Sequence, residues 1–231
     1  MIIAIDGPAG VGKGTLAKKL ATHYSMSYLD TGTLYRAVGL SVLMAGQNPA
    51  DTTAAASAAQ GLDFNFKPVD GSFRAFIADQ DVTTKLRTQD VGQAASVVSA
   101  IPAVRAALKD FQVHFAATHS TARGVILDGR DIGTVICPHA EVKFFLDARP
   151  EIRAQRRVKE LREAGREAVY ETVLAEIIDR DDRDRNRSDA PLKAADDAIL
   201  LDTSDLGIDD VFAKACAVVE KQRARANKSA S

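Results

Sequence analysis

Met1-Ile-Ile-Ala-Ile-Asp6-Gly7-Pro-Ala-Gly-Val-Gly12-Lys13-Gly14-Thr15 opens the chain, and its reading decides the fold. Four apolar, mostly β-branched residues ending at Asp6 form a strand. A glycine-rich turn follows, and Leu16, Ala17, Leu20 and Ala21 then recur at helical spacing. In that strand–turn–helix setting, G-x-x-x-x-G-K becomes a phosphate-binding loop and not merely a glycine-rich turn. Glycines let the backbone N–H groups point inward around a triphosphate, the helix N-terminus adds partial positive charge, and Lys13 can reach the β- and γ-phosphates. Gly7, Pro8, Ala9, Gly10, Val11, Gly12, Lys13, Gly14 and Thr15 are the residues expected to hold the triphosphate.

Further short apolar runs stand at Gly124-Val-Ile-Leu-Asp128, Val142-Lys-Phe-Phe-Leu-Asp147 and Ala198-Ile-Leu-Leu-Asp202, separated by helical stretches and turns. Continuous apolar strands alternating with helices predict an α/β fold whose parallel sheet is covered on both faces. Ligands of such sheets bind beyond the carboxyl ends of the strands, where Asp6, Asp128, Asp147 and Asp202 stand. Between the first strand and Gly124, Leu62-Asp-Phe-Asn-Phe66, a turn at Pro68-Val-Asp-Gly71, Phe73-Arg-Ala-Phe-Ile77 and the segment near Val82 alternate like antiparallel strands, a small inserted β lobe. Asp51 to Gln60 is expected to be a capped helix, and Pro102 to start another. Pro150 to Arg187 mixes arginine with acid and has Gly165 as its single glycine, which predicts two helices hinged there. The polar tail after Glu220 is expected to fray.

The 231 residues suit roughly one to two domains. With 46% apolar and 26% charged residues the chain can bury a core without disulfides or structural metal. Thirty basic against 31 acidic side chains, a net charge of −1, count against nucleic-acid or anionic-membrane binding. Cys137 and Cys216 lack disulfide or metal-ligand spacing, which makes a reducing cytoplasm the expected compartment. No apolar run approaches the ~18 residues of a membrane span. His23, His114, His119 and His139 form no triad or metal pattern.

A phosphate loop alone does not separate a kinase from a switch or motor, so residues for a second substrate matter. Asp30-Thr-Gly-Thr-Leu-Tyr35-Arg36 brings a glycine, a hydroxyl and an arginine to a helix start. Asp128-Gly-Arg130-Asp131 ends a strand. Ile178-Asp-Arg180-Asp-Asp-Arg-Asp184-Arg-Asn-Arg187 places positions 180, 184 and 187 on one helical face, two arginines flanking an aspartate, a pattern open to phosphate and ribose or simply to surface ion pairs.

With these residues in view the chain resembles, from end to end, the bacterial cytidylate kinases. The resemblance rests on Ile-Asp-Gly-Pro-x-Gly-x-Gly-Lys-Gly-Thr, Asp30-x-Gly-x-x-Tyr35-Arg36, Arg87-Thr-Gln89, Ser96 with Arg105, Asp128-Gly-Arg-Asp131 and Arg180-Asp-Asp-Arg-Asp-Arg-Asn-Arg187. Gly14 in place of the usual serine or threonine is itself similar to the nucleoside monophosphate kinase branch. Thr31 departs from the serine more usual there but keeps the hydroxyl.

The resemblance implies a P-loop NTPase three-layer fold with a parallel five-stranded sheet, an inserted small antiparallel β lobe and a helical lid. It implies a core of 1–30 and 118–231, a monophosphate-binding region of 31–117 with its β insert around 62–90, and a lid over 150–170. The implied reaction passes the γ-phosphoryl group of ATP to CMP or dCMP, giving ADP and CDP or dCDP with Mg²⁺. Ser96, Arg105 and Asp131 would read the base, whose O2 and N3 accept and whose N4 donates. Arg36 and Arg130, with Thr31 and Tyr35, would hold the acceptor phosphate. Arg180 and Asp184 would approach the ribose, with Arg187 bracing Asp184 or touching phosphate. Lys13, Arg130 and Arg180 would neutralise the transferring group, and at least one of Arg153, Arg156 and Arg157 would reach ATP on lid closure. Mg²⁺ would be held mainly by phosphates and water, with Thr15 and Asp128 as its candidates in the protein; Asp128 either orients metal-bound water or caps its turn. The implied protein is a cytoplasmic monomer. A kinase for UMP or AMP, and a P-loop regulatory module, are the competing readings.

Overall fold

β1 (Ile2–Asp6) lies at the centre of a five-stranded sheet, its Ile3, Ala4 and Ile5 fully buried and paired with a strand on both sides. In the computed structural model, which describes residues 1–69, 72–121 and 123–229, β1 pairs in parallel with β6 (Val125–Asp128) on one side and with β7 (Val142–Asp147) on the other. Ile5 stands opposite Asp128 and Phe144, so the carboxyl ends of the three strands come level. β2 (Ser27–Asp30) and β8 (Ile199–Asp202) complete the order β2-β6-β1-β7-β8, with β8 parallel to β7.

The chain divides into two units, Met1–Leu29 with Val113–Ser231, and Asp30–Gln112. In the first, side chains alternate across the sheet. Ile3, Ile5, Ile126, Phe144 and Leu146 pack with Leu16 and Leu20 of α1 (Lys13–Tyr24) and with Val211, Ala215 and Val219 of α8 (Ile208–Ser229). Ala4, Val125 and Leu127 face the other way, towards Leu29, Ala116 and Ile132. This is the three-layer arrangement expected of strands apolar on both faces. α6 (Pro150–Glu163) and α7 (Tyr170–Asn186) pack on each other through Ala154, Val158, Leu161, Val173 and Ile177. Gly165, at φ +71°, ends the first of them in the left-handed region that a side chain would resist.

In the second unit, α2 (Thr31–Met44), α3 (Thr52–Gln60), α4 (Gln89–Val98) and the first half of α5 (Pro102–Ser120) enclose a core that includes Leu34, Val38, Ala55, Val82 and Val98. Asp51 caps α3 by accepting from the N–H groups of Thr53 (2.9 Å) and Ala54 (3.1 Å). β3 (Phe64–Val69), β4 (Ser72–Ile77) and β5 (Gln80–Asp81) form the antiparallel lobe, with Phe64 opposite Ile77.

Several expectations change. β8 is not covered on both faces: Leu200 is 68% exposed, because β8 is the edge strand and an apolar run alone does not distinguish edge from centre. Pro68 and Val69 continue β3 opposite Phe73 and Ser72, so they are strand and not turn; Asp70 and Gly71, the rest of the expected turn, lie outside the described residues. The third strand is Gln80–Asp81, while Val82 is fully buried core, and from Lys85 the stretch assigned to the β insert is a 3₁₀ turn (Lys85–Arg87) and then α4. The tail beyond Glu220 is helical through Ser229.

Candidate active site

Gly7 follows β1 at φ +143°, and a β-carbon there would run into the carbonyl oxygen of Leu146 on the neighbouring strand. The loop can lie this close to the sheet with glycine alone. Gly12 then caps α1, and Leu16 donates to its carbonyl at 3.0 Å. Lys13 is buried beside the loop, donating from Nζ to the Pro8 carbonyl at 2.7 Å. Burial, reinforced by the positive charges of Arg130 and Arg180, pushes its ammonium down to about 7, against the pull of Asp128 and Asp6. Such a group gains strongly from an incoming anion, because phosphate oxygens restore the solvation that burial removed.

Thr203, just past β8, donates from its hydroxyl to the Val11 carbonyl (3.1 Å) and so braces the loop from behind. Asp128 is buried at the end of β6, with the Tyr28 hydroxyl 3.3 Å from Oδ2. A β-carbon on Gly14 would come within 3.4 Å of that same Oδ2, so the carboxylate stands over the start of α1. Thr15 is exposed on that first turn. Among the described residues no three His, Cys, Asp or Glu side chains gather as a metal-binding cluster. One carboxylate and one hydroxyl at a phosphate loop fit Mg²⁺, a hard cation that keeps waters and takes most of its ligands from phosphates.

Arg130 extends past β6 and donates from Nε to Asp184 Oδ2 at 2.8 Å. Burial alone would raise the Asp184 carboxyl, but Arg130, Arg180 and Arg187 together hold it below the usual carboxylate range. Asp131 is buried with its Oδ1 3.6 Å from Nη2 of Arg187. Arg187 is not on the helical face expected of it. α7 ends at Asn186, and Arg187 leaves in an extended conformation, donating from Nε to the Ala190 carbonyl at 2.6 Å. It therefore braces Asp131, while Arg130 braces Asp184. Lys13, Asp128, Arg130, Asp131, Arg180, Asp184 and Arg187 thus form one charged group in the first unit.

The three arginines of α6 expected to reach ATP, Arg153, Arg156 and Arg157, differ from one another. Arg153 is 1% exposed: its guanidinium forms a two-pronged pair with Asp181 (3.0 and 2.5 Å) and also donates to the carbonyls of Ala148 (2.9 Å) and Ala9 (3.2 Å). Its role in this structure is to strap α6 and α7 to the back of the phosphate loop. Arg156 donates to the hydroxyl and carbonyl of Thr203. Arg157 is at the surface beside Glu160 (3.2 Å). Asp6, Asp181 and Thr203 escaped the sequence reading as site residues, although the strand-end position of Asp6 and Thr203 pointed to the right edge of the sheet.

In the second unit, Thr31 is buried in the first turn of α2. Arg36, one turn on, donates to the Leu86 carbonyl at 2.8 Å and lies against Gly92. Arg105 is buried in α5, with Nη1 3.3 Å from the Tyr35 hydroxyl and its guanidinium 5.8 Å from the centre of the Tyr35 ring. Ser96 is buried in α4. A buried arginine and serine with a half-buried tyrosine in one unit supply the mixed donors and acceptors that recognition of a polar base requires.

Comparison with known proteins accounts for this combination. The family model described as Cytidylate kinase matches residues 3–221. The cytidylate kinase of Paramagnetospirillum magneticum is 51% identical over 222 residues, covering 96% of this chain and 99% of that protein. That of Azorhizobium caulinodans is 53% identical over 227 residues, covering 96% and 100%. That of Actinobacillus succinogenes is 47% identical over 230 residues, covering 97% and 100%. A phosphate loop closed by Gly-Lys-Gly-Thr, a strand-end Arg130–Asp131 braced by the arginines and aspartates of 180–187, and a match over nearly the whole sequence leave no remainder: this chain belongs to the cytidylate kinase family.

Proposed function

We propose that the protein transfers the γ-phosphoryl group of ATP to CMP or dCMP, releasing ADP and CDP or dCDP. The observation that carries this reading is the charged group beside the phosphate loop. Arg130, Arg180 and Arg187 all act on the buried Asp184, Arg187 also stands beside the buried Asp131, and Arg130 and Arg180 adjoin Lys13, so that cations gather beside the loop where phosphates would be held. Phosphoryl transfer demands positioning and charge neutralisation, and the acceptor phosphate is already ionised, so no protein nucleophile or strong base is required.

Lys13 and the loop N–H groups of Gly7 to Thr15 hold the β- and γ-phosphates, and Arg130 and Arg180 meet the charge spreading over the transferring group. Thr15 and Asp128 are the residues that would hold Mg²⁺. When bound, the ion neutralises and aligns the phosphate oxygens. Asp131, with Arg105 and Ser96, reads the cytosine. Arg36 and Arg130 hold the acceptor phosphate near Thr31 and Tyr35, and Asp184 with Arg180 addresses the ribose hydroxyls, while Arg187 sets the direction of Asp131. The Asp30–Gln112 unit is the monophosphate-binding region, and 150–170 is the lid. Because Arg153 and Arg156 are tied down, Arg157 is the lid arginine proposed to approach ATP as water is excluded. The protein is read as a cytoplasmic monomer that binds nucleotides; the near-zero net charge counts against nucleic-acid or anionic-membrane partners, and among the described residues no single helix is long and apolar enough to cross a membrane.

The test is ADP release with CMP, dCMP, UMP and AMP as acceptors. CMP or dCMP is expected to exceed UMP and AMP in kcat/KM by roughly 10² or more, because buried polar groups are left unpaired by the wrong base. Equal turnover of UMP or AMP would remove the roles given to Ser96, Arg105 and Asp131.

A further inference from the structure

Asp6 carries no role in the reaction outlined above, yet it is among the most buried charged residues of the chain. It ends β1, immediately before the phosphate loop. Its two carboxylate oxygens accept from consecutive backbone N–H groups on another segment, Oδ1 from Ile132 at 2.8 Å and Oδ2 from Gly133 at 2.7 Å. Those N–H groups begin the short helical turn Ile132–Ile136, whose cap position is Asp131. A helical start leaves its first N–H groups without intrahelical partners, and an aspartate in the cap position ordinarily satisfies them with its own carboxylate. Asp131 makes no such bond; its carboxylate turns instead to Arg187. Asp6 does the capping from a different strand and relieves Asp131 of it.

We propose that Asp6 is a positioning residue for the acceptor nucleotide: by capping the 132–136 turn in place of Asp131, it keeps the Asp131 carboxylate turned towards its ligand and fixes the peptide that follows Asp131 to the residue just before the phosphate loop. This rests on the reading of Arg130 and Asp131 as acceptor ligands. Burial, and the nearby charge of Asp131, push the Asp6 carboxyl up to about 6 against the pull of the two N–H groups and of Lys13. With its folded-state value raised from the ordinary 3.8 to about 6, stability falls as pH rises from about 3.8 to about 6, and above that the ionised Asp6 carries the full cost. A carboxylate kept at a cost to the fold points to a role other than stability.

Asp6→Asn is isosteric but presents one amide N–H to a backbone N–H, so one of the two caps is lost and Asp131 becomes the competing cap. KM for CMP should rise roughly 10- to 100-fold, the loss of one hydrogen bond to a charged group. KM for ATP should stay within about twofold, and the Tm at pH 8 should stay within about 3 °C of the parent. In ¹⁵N-resolved spectra of the nucleotide-free protein, the amides of Ile132 and Gly133 should lose the downfield position of charge-assisted donors. Should Asp6→Asn fail to fold, Asp6→Ser is the second variant: its single hydroxyl oxygen sits on a shorter side chain and cannot accept from both N–H groups as the carboxylate does, and the same selective rise in KM for CMP is expected. Equal losses for ATP and CMP, or a CMP KM untouched in both variants, would overturn the proposal. Failure of the functional reading looks different, because then the parent enzyme itself does not turn over CMP.

Discussion

Lys13→Met should lose turnover by roughly 10³-fold, the order found when one preorganised donor to a transition-state oxyanion is removed, and should gain thermal stability as it does so. The two halves have one cause. Lys13 is buried, with the Pro8 carbonyl as its acceptor, and burial beside Arg130 and Arg180 lowers its ammonium to about 7 from the ordinary 10.5. A lysine with a folded-state value below its unfolded value destabilises the fold while it is charged. Stability should therefore rise as pH climbs from about 7 towards 10.5, the window in which the unfolded chain binds the extra proton. Methionine keeps the aliphatic bulk, removes the charge and abolishes that pH dependence. Melting curves of the two proteins at pH 7 and pH 9.5, with steady-state rates at pH 7.5, check both statements. A variant that keeps its turnover would show that Lys13 is not on the phosphates. One that melts well below the parent would show that the buried ammonium supports the fold.

Arg153→Met is the second large effect, and it falls on stability. The substitution leaves the Asp181 carboxylate buried without its two-pronged partner and removes the donor to the Ala9 carbonyl of the phosphate loop. Breaking a buried pair from one side costs about 3–5 kcal/mol, which for a chain of this size lowers Tm by on the order of 10 °C. Replacing both partners, Arg153→Met with Asp181→Leu, should recover most of the loss, because two apolar side chains leave no buried charge. Thermal unfolding of the single and double variants separates a strut from a nucleotide ligand. If Arg153→Met melts with the parent but binds ATP weakly, the arginine belongs to ATP, and the strap across the phosphate loop is incidental.

What could be read from the sequence was local. The phosphate loop needs nothing beyond its own spacing and flanks, since the strand, the glycines, Lys13 and the helix are contiguous. The capping of α3 by Asp51 is equally self-contained. Relations across the chain were not legible. Asp6 is visibly a strand-end aspartate, but the N–H groups it accepts from lie 126 and 127 residues away. Asp181 looks like one more charge in a charged helix, and only the arrival of Arg153, 28 residues earlier, makes it a buried partner. Arg187 follows helical spacing in the sequence, yet the helix stops one residue short of it, and its guanidinium reaches forward to the Ala190 carbonyl. The apolar run of β8 reads like that of β6, and edge position alone leaves Leu200 in solvent.

The most direct test of the account follows the transferred group itself. With ATP labelled in its γ-phosphoryl group, Mg²⁺ and CMP, the label should appear as the β-phosphate of CDP, one for each ADP released. Label recovered as inorganic phosphate, or left in ATP with CMP unchanged, would contradict it and leave a P-loop module that binds nucleotide without phosphorylating an acceptor.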